Sequence, residues 1–135
     1  MELQVGVKAL IRNSSGKYLL IHRSSKKYPE INNLWDIPGG RINPGSPLIE
    51  NLLREINEET GLEITDDPAL LGAQDILRIP GRHVVRLTYL LSASGEVVID
   101  QEEHDDFKWL DLDEVLNIEK LDIYVKELLT NSSLK

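Results

Sequence analysis

Residues 46 to 62 constrain the fold most, because they read as a helix with two faces of opposite chemistry. Ser46 can cap a helix start, and Pro47 suits the first helical position, whose N–H has no partner in any case. Gly61 is the usual stop after a last turn. Between them Ile49, Leu52, Leu53, Ile56 and Thr60 recur at helical spacing and predict one buried face. At about 100° per residue, Glu55, Glu58 and Glu59 share an arc of about 100°, roughly 120° from that face. Like charges at these spacings repel one another, and anions in the last turns oppose the helix dipole. Alone, the three glutamates read as a solvated acidic face. The residues before them change that reading. Two adjacent glycines, Gly39 and Gly40, follow Trp35-Asp36-Ile37-Pro38 and let backbone groups approach a ligand closely. A hard cation with oxygen ligands relieves both conflicts, since Mg²⁺ binds one or two carboxylates plus substrate phosphates.

Around this helix the pattern is mixed. Leu3, Val5, Val7, Ala9 and Ile11 alternate with polar or small residues, which predicts a strand. The polar loop Asn13-Ser14-Ser15-Gly16 leads to a second strand from Tyr18 to Arg23, as in a hairpin. Residues 24 to 46, with Pro29, Pro38, Pro44 and three glycines, form a long irregular stretch of a kind usually functional or disordered in small domains. Strands are expected over 69–79 and 83–92, broken at Pro80-Gly81, and again near 96–99 and 107–110. Asp111 to Glu114 opens a short helical segment, residues 119–130 form an amphipathic helix, and Asn131 to Lys135 fray. Strands, a helix, more strands and a helix predict an α/β (mixed α+β) fold, with a mixed sheet between helices rather than a regular parallel series. A single domain over residues 1–135 is expected.

Cysteine is absent, which excludes disulfides, thiolate catalysis and cysteine zinc sites. A formal net charge of -8 argues against binding a nucleic-acid polymer, since duplex binding needs basic side chains to displace counterions. It does not exclude a small phosphate ester, because a cation bound to clustered carboxylates reverses the local sign. No apolar run approaches the roughly 20 residues that span a bilayer, and Met1-Glu2-Leu3-Gln4 lacks the layout of a secretory signal. No membrane association and a cytoplasmic location are expected.

The segment from Gly40 to Leu62 resembles the Nudix box, written Gly-x5-Glu-x7-Arg-Glu-U-x-Glu-Glu-x-Gly-U with U a bulky aliphatic residue. Gly40, Arg54, Glu55, Ile56, Glu58, Glu59, Gly61 and Leu62 stand at the matching positions. Leu34 to Gly39 resembles the lead-in to that box, and Glu103 to Leu110 the stretch before the last core strand. The resemblance to this MutT-like family implies a Nudix-like mixed sheet between helices. It also implies a hydrolase that cleaves a pyrophosphate bond in a nucleoside diphosphate-linked small molecule, of nucleoside triphosphate, oxidised nucleotide or ADP-ribose type. Mg²⁺, or Mn²⁺, is the implied cofactor, held by Glu55, Glu58, Glu59 and the Gly39 carbonyl, with Arg54 orienting the glutamates. Glu103 stands where relatives carry an additional glutamate acting as base or ligand; Glu102 and His104 are neighbouring alternatives. Dimers are frequent in the family, and a homodimer is compatible with the resemblance.

One box position departs from the signature, which places glutamate where this chain has Ser46. In the family that glutamate supports the arginine. Glu50, four residues before Arg54, is the expected replacement, in the favourable orientation for a helical pair. The alternative is a catalytically weak nucleotide-binding or sensor module. Candidate substrate contacts are Trp35, by stacking or by pinning the loop, and Arg23, Arg78 and Arg86, by binding phosphate or ribose. Arg82 and His83 share the reading given to Arg78 and Arg86, with surface charge at a strand end as the alternative.

Overall fold

A computed structural model of the chain describes residues 1–24 and 34–134. The expected irregular stretch over 24–46, with its Pro29, therefore lies partly outside the described residues, as does Lys135 of the C-terminal tail. The longest strands are β1 (Glu2–Arg12) and β7 (Arg82–Ser94), which run parallel, with Glu2 opposite Arg82 and Arg12 opposite Ser92. β2 (Tyr18–Arg23) returns from β1 as a hairpin and also pairs with β3 (Trp35–Asp36) and β8 (His104–Leu110). β4 (Gly39–Arg41) pairs with β1, while β5 (Glu63–Ile64) and β6 (Ala69–Ile76) pair with β7. Every pairing except β1–β7 is antiparallel, so the sheet is mixed as expected.

Both sheet faces are covered, and strand alternation sorts the side chains between them. Val7, Ala9, Ile11, Leu19 and Ile21 join Leu52 and Ile56 of α1 (Leu48–Thr60) in one core. Leu10, Tyr18 and Leu20 point to the other face. There they meet Val115 of α2 (Leu112–Asn117) and Val125 and Leu129 of α3 (Ile123–Thr130). Each fully buried large aliphatic contributes about 1.5–3 kcal/mol relative to exposure, and both cores draw on β1 and β2. Among the described residues, no helix is long and apolar enough to cross a membrane.

Several local expectations are corrected. Ser46 does not cap α1; its N–H closes a turn onto the Asn43 carbonyl, and Pro47 is the N-cap, without a side-chain hydrogen bond. Ile49 and Leu53 are 37% and 40% exposed, whereas Leu52, Ile56, Asn51, Glu59 and Thr60 are buried. The buried stripe is thus rotated toward the glutamates, because α1 packs on the sheet along one edge and borders a cavity along the next. Residues 96–99 form no strand. The Val98 N–H bonds the Thr60 carbonyl at 2.8 Å, and Val97 and Ile99 cover the first core from an extended loop. The last helix begins at Ile123 rather than 119. Asp122 caps it by accepting from the Tyr124 and Val125 N–H groups, and the preceding Leu121 bridges to Trp35.

A buried charge network ties three strands together. Asp36 on β3 accepts from Lys8 of β1 at 3.2 Å and from Arg23 of β2 at 3.0 Å, and Lys8 also reaches the Ile37 carbonyl at 3.1 Å. Burial alone would raise the Asp36 pKa, but Lys8, Arg86 and Arg23 together hold it well below the usual carboxylate range. Removing one member of a buried pair strands the others, at a cost of about 3–5 kcal/mol. Asp36→Ala should therefore lose about that much stability in urea unfolding, and Lys8→Met in the same chain should recover part of it. Since the folded-state pKa lies below the ordinary 3.8, the ionised carboxylate's contribution is complete above that pH and declines as the solution is acidified further. Denaturation midpoints across acid pH, compared between the wild type and Asp36→Asn, measure it.

Candidate active site

A cavity of about 350 Å³ opens where β1, β4, β7, α1 and the start of β8 converge. Its lining brings together Glu55 and Glu59 from α1, Glu103 just before β8, Asp36 of β3, and the cations Lys8, Arg23, Arg41 and Arg86. Carboxylates and fixed cations therefore share one cavity.

The placement of Glu55 and Glu59 depends on the glycine pair. Gly39 has φ 149°, and a side chain there would run into β1, its Cβ lying 2.1 Å from the Val7 carbonyl oxygen. Its N–H donates to Glu59 Oε2 at 2.7 Å. A Cβ on Gly40 would stand 3.0 Å from the Glu55 carboxylate, which would have to give way by a few tenths of an ångström. Glu59 is 7% exposed, and burial, reinforced by the charges of Glu55 and Glu103, pushes its pKa up to about 7 against the opposing Lys8 charge and Gly39 N–H. Burial likewise raises Glu55, opposed by Arg54. Carboxylates held together under this electrostatic penalty are a fitting donor set for a divalent cation, whose charge would reverse it.

Arg54 does not use Glu50, and this expectation is corrected. Its guanidinium lies 3.1 Å from Asn51 Oδ1, 3.3 Å from Glu58 and 3.4 Å from Glu55. Asn51 is fully buried, and the same Oδ1 accepts the Asn43 N–H at 3.1 Å. The asparagine thus fastens the loop before α1 to the arginine beside the glutamates. A glutamate four residues away is electrostatically adequate, but Asn51 also meets that loop, through the Asn43 N–H.

Three of the lining cations are held by buried carboxylates. Lys8 and Arg23 share Asp36, and Arg86 pairs with Asp122 at 2.8 Å, linking β7 to the cap of α3. The Tyr124 ring lies between Arg86 and Arg78, at 5.4 and 5.1 Å from their guanidinium carbons.

The expected residues do not all converge. Glu55, Glu59, Gly39, Glu103, Arg23 and Arg86 line the cavity, as does His104, 4% exposed and with its pKa pushed down to about 4 by burial first and then by Arg23. Glu58 is turned toward Arg54 and is not among the lining residues. Neither is Arg78, which stacks on Tyr124, nor Trp35, whose ring packs beside His22 and under Lys108. His83 pairs with Asp75 away from the cavity, and Glu102 and Arg82 also do not line it. Sequence reasoning missed Lys8, Asp36, Arg41 and Asn51. Lys8 and Asp36 were signalled by a charge set between apolar residues, Val7 and Ala9 for the one and Trp35 and Ile37 for the other, whereas Asn51, beside Glu50, carried no such mark.

The profile of the NUDIX domain matches residues 2–131. Among solved structures, the MutT NUDIX hydrolase from Burkholderia pseudomallei is similar with a TM-score of 0.82 and 31% identity, over 96% of this chain and 98% of that one. The MutT protein from Methanosarcina mazei Go1 is similar with a TM-score of 0.80 and 29% identity, over 95% of this chain and 91% of that one. The m7GpppN-mRNA hydrolase NUDT17 of Xenopus laevis is 35% identical over 102 residues, covering 70% of this chain and 34% of that protein. The chain therefore spans about a third of the length of that curated relative. A profile match running almost from end to end, with the same fold in a hydrolase of 31% identity, places this chain in the NUDIX hydrolase family.

Proposed function

We propose that this domain is a divalent-cation-dependent hydrolase cleaving a phosphoanhydride bond of a small nucleotide-like substrate, of nucleoside triphosphate, oxidised nucleotide or ADP-ribose type. The observation that carries the proposal is the gathering of carboxylates and fixed cations in one cavity. A polyphosphate needs both: divalent cations, held by carboxylates, and fixed positive charge from side chains. The substrate named for the Xenopus relative, m7GpppN, contains such a phosphate chain.

In this reading Glu55, Glu59 and Glu103, with the Gly39 carbonyl and with Glu58 behind them, would hold Mg²⁺ or Mn²⁺. When bound, such a cation supplies Lewis acidity, water activation and a charge clamp. The chain's own groups do the rest. The Gly39 N–H fixes Glu59, and Arg23 and Arg86 bind non-bridging phosphate oxygens. Lys8 adds positive charge beneath the phosphates. Trp35 and Arg78, outside the cavity lining, could meet only the far end of a longer substrate. Asn51 replaces the glutamate missing at Ser46 by holding Arg54. The sensor reading rests on Ser46, and the retained Arg54 contacts weaken it. A cytoplasmic setting and a homodimer belong to the same proposal, testable by fractionation and by light scattering.

Glu59→Gln preserves shape and the acceptor for Gly39, so the variant should fold normally. Hydrolysis of a nucleotide panel should nevertheless fall by about 100-fold or more, and chelator should silence the wild type. Full activity of the variant at saturating Mg²⁺ would overturn the assignment. For Asn51, Asn51→Leu should lower kcat about 10- to 100-fold with little change in KM. Asn51→Asp, which keeps the acceptor, should retain most activity, and Glu50→Ala should change neither constant. A loss in Glu50→Ala equal to that in Asn51→Leu would return the supporting role to Glu50.

A further inference from the structure

His104 is the buried group at the cavity that the proposed chemistry leaves unused. Its Nδ1 has no hydrogen-bond partner among the described residues, although the residue is 4% exposed. A buried polar atom left unsatisfied is destabilising, which a fold bears where a ligand repays it. The ring's position is fixed by its backbone. Its N–H bonds the Asp100 carbonyl at 2.8 Å, and the β2–β8 ladder breaks register here, with Asp106 opposite His22 but His104 opposite Arg23. The extra residue, Asp105, makes a bulge, the usual device for re-aiming a side chain beside a site. One ligand atom from each of Glu59, Glu103 and His104 lies within 4.8 Å of the other two. Neighbouring ligands on bonds of about 2.1 Å stand roughly 3.0 to 3.4 Å apart, so an ion would draw the three side chains together as it binds.

We infer that Glu59, Glu103 and His104 form a mixed carboxylate–imidazole position that prefers Mn²⁺, or a similar transition ion, to Mg²⁺. The inference rests on reading the cavity as a cation site and adds a nitrogen ligand to it. Imidazole suits transition ions, whereas Mg²⁺ favours oxygen and keeps its waters. Two carboxylates match the charge of one divalent ion, and the imidazole sets its identity.

The test uses the whole chain with Mn²⁺ as probe. Continuous-wave electron paramagnetic resonance counts free Mn²⁺ during titration, Mg²⁺ is added in competition, and pulsed resonance detects nitrogen bonded to the bound ion. The wild type should show a directly bound ¹⁴N. His104→Phe should lose that signal and about tenfold or more in Mn²⁺ affinity, with Mg²⁺ affinity nearly unchanged. Bound Mn²⁺ without nitrogen in the wild type, or an unchanged Mn²⁺ affinity in the folded variant, overturns the inference, as does failure to bind Mn²⁺ at all. Should His104→Phe not fold, the wild-type nitrogen signal still decides. Nucleotide hydrolysis with Mg²⁺, run in parallel, separates the two readings. Turnover without the nitrogen signal sinks this inference alone, and the nitrogen signal without turnover sinks the hydrolase reading alone.

Discussion

A buried carboxylate needs a donor that arrives without bulk, and Glu59 finds one in the N–H of Gly39 at 2.7 Å. That contact depends on β4 lying against β1 so tightly that a Cβ at Gly39 would collide with the Val7 carbonyl. It also depends on α1 being seated by Leu52 and Ile56 in the first core, which turns Glu55 and Glu59 toward the cavity. Hydrophobic burial and electrostatic penalty are therefore coupled on one helix. The apolar contacts on β1 and β2 hold carboxylates where their own charge is disfavoured.

The cations of the cavity are held on the same principle with the signs exchanged. Lys8 is buried between Val7 and Ala9 of β1, and it persists there because Asp36 and the Ile37 carbonyl meet it. Arg23 shares that aspartate, and Arg86 is anchored on Asp122, which also caps α3. The cations are thus positioned by rigid elements rather than by long solvated side chains. A site preorganised in this way loses little conformational entropy when an anion arrives.

The departure at Ser46 shows how a local substitution is absorbed. Ser46 ends in a backbone turn, and Asn51, one turn further along, takes both the Asn43 N–H and the Arg54 guanidinium on a single oxygen. Loop and arginine remain linked, through a neutral amide in place of a charge. A fully buried asparagine contributes this without the desolvation cost of a carboxylate.

Much of this was legible in order and spacing. The helix ending at Gly61, the glycine pair, the three glutamates, the mixed strand order and the family signature are local patterns, and local geometry fixes what they can form. What spacing left undetermined was rotation and partnership. A helical wheel drawn from Ile49 and Leu53 turns the apolar face too far from the glutamates. The actual seat of α1 depends on a sheet whose strands lie distant in sequence. For the same reason Lys8 and Asp36, 28 positions apart, could not be read as a pair, nor Arg86 and Asp122 across 36. The sequence by itself determined which groups carry charge, where the backbone can approach them, and that a cation would resolve their repulsion. Only the tertiary structure decided that Glu59 is buried and Glu58 is turned away, and that Asn51 rather than Glu50 holds the arginine. Those outcomes follow from how far each side chain lies from water and from its neighbours in space, which packing sets and chain order does not.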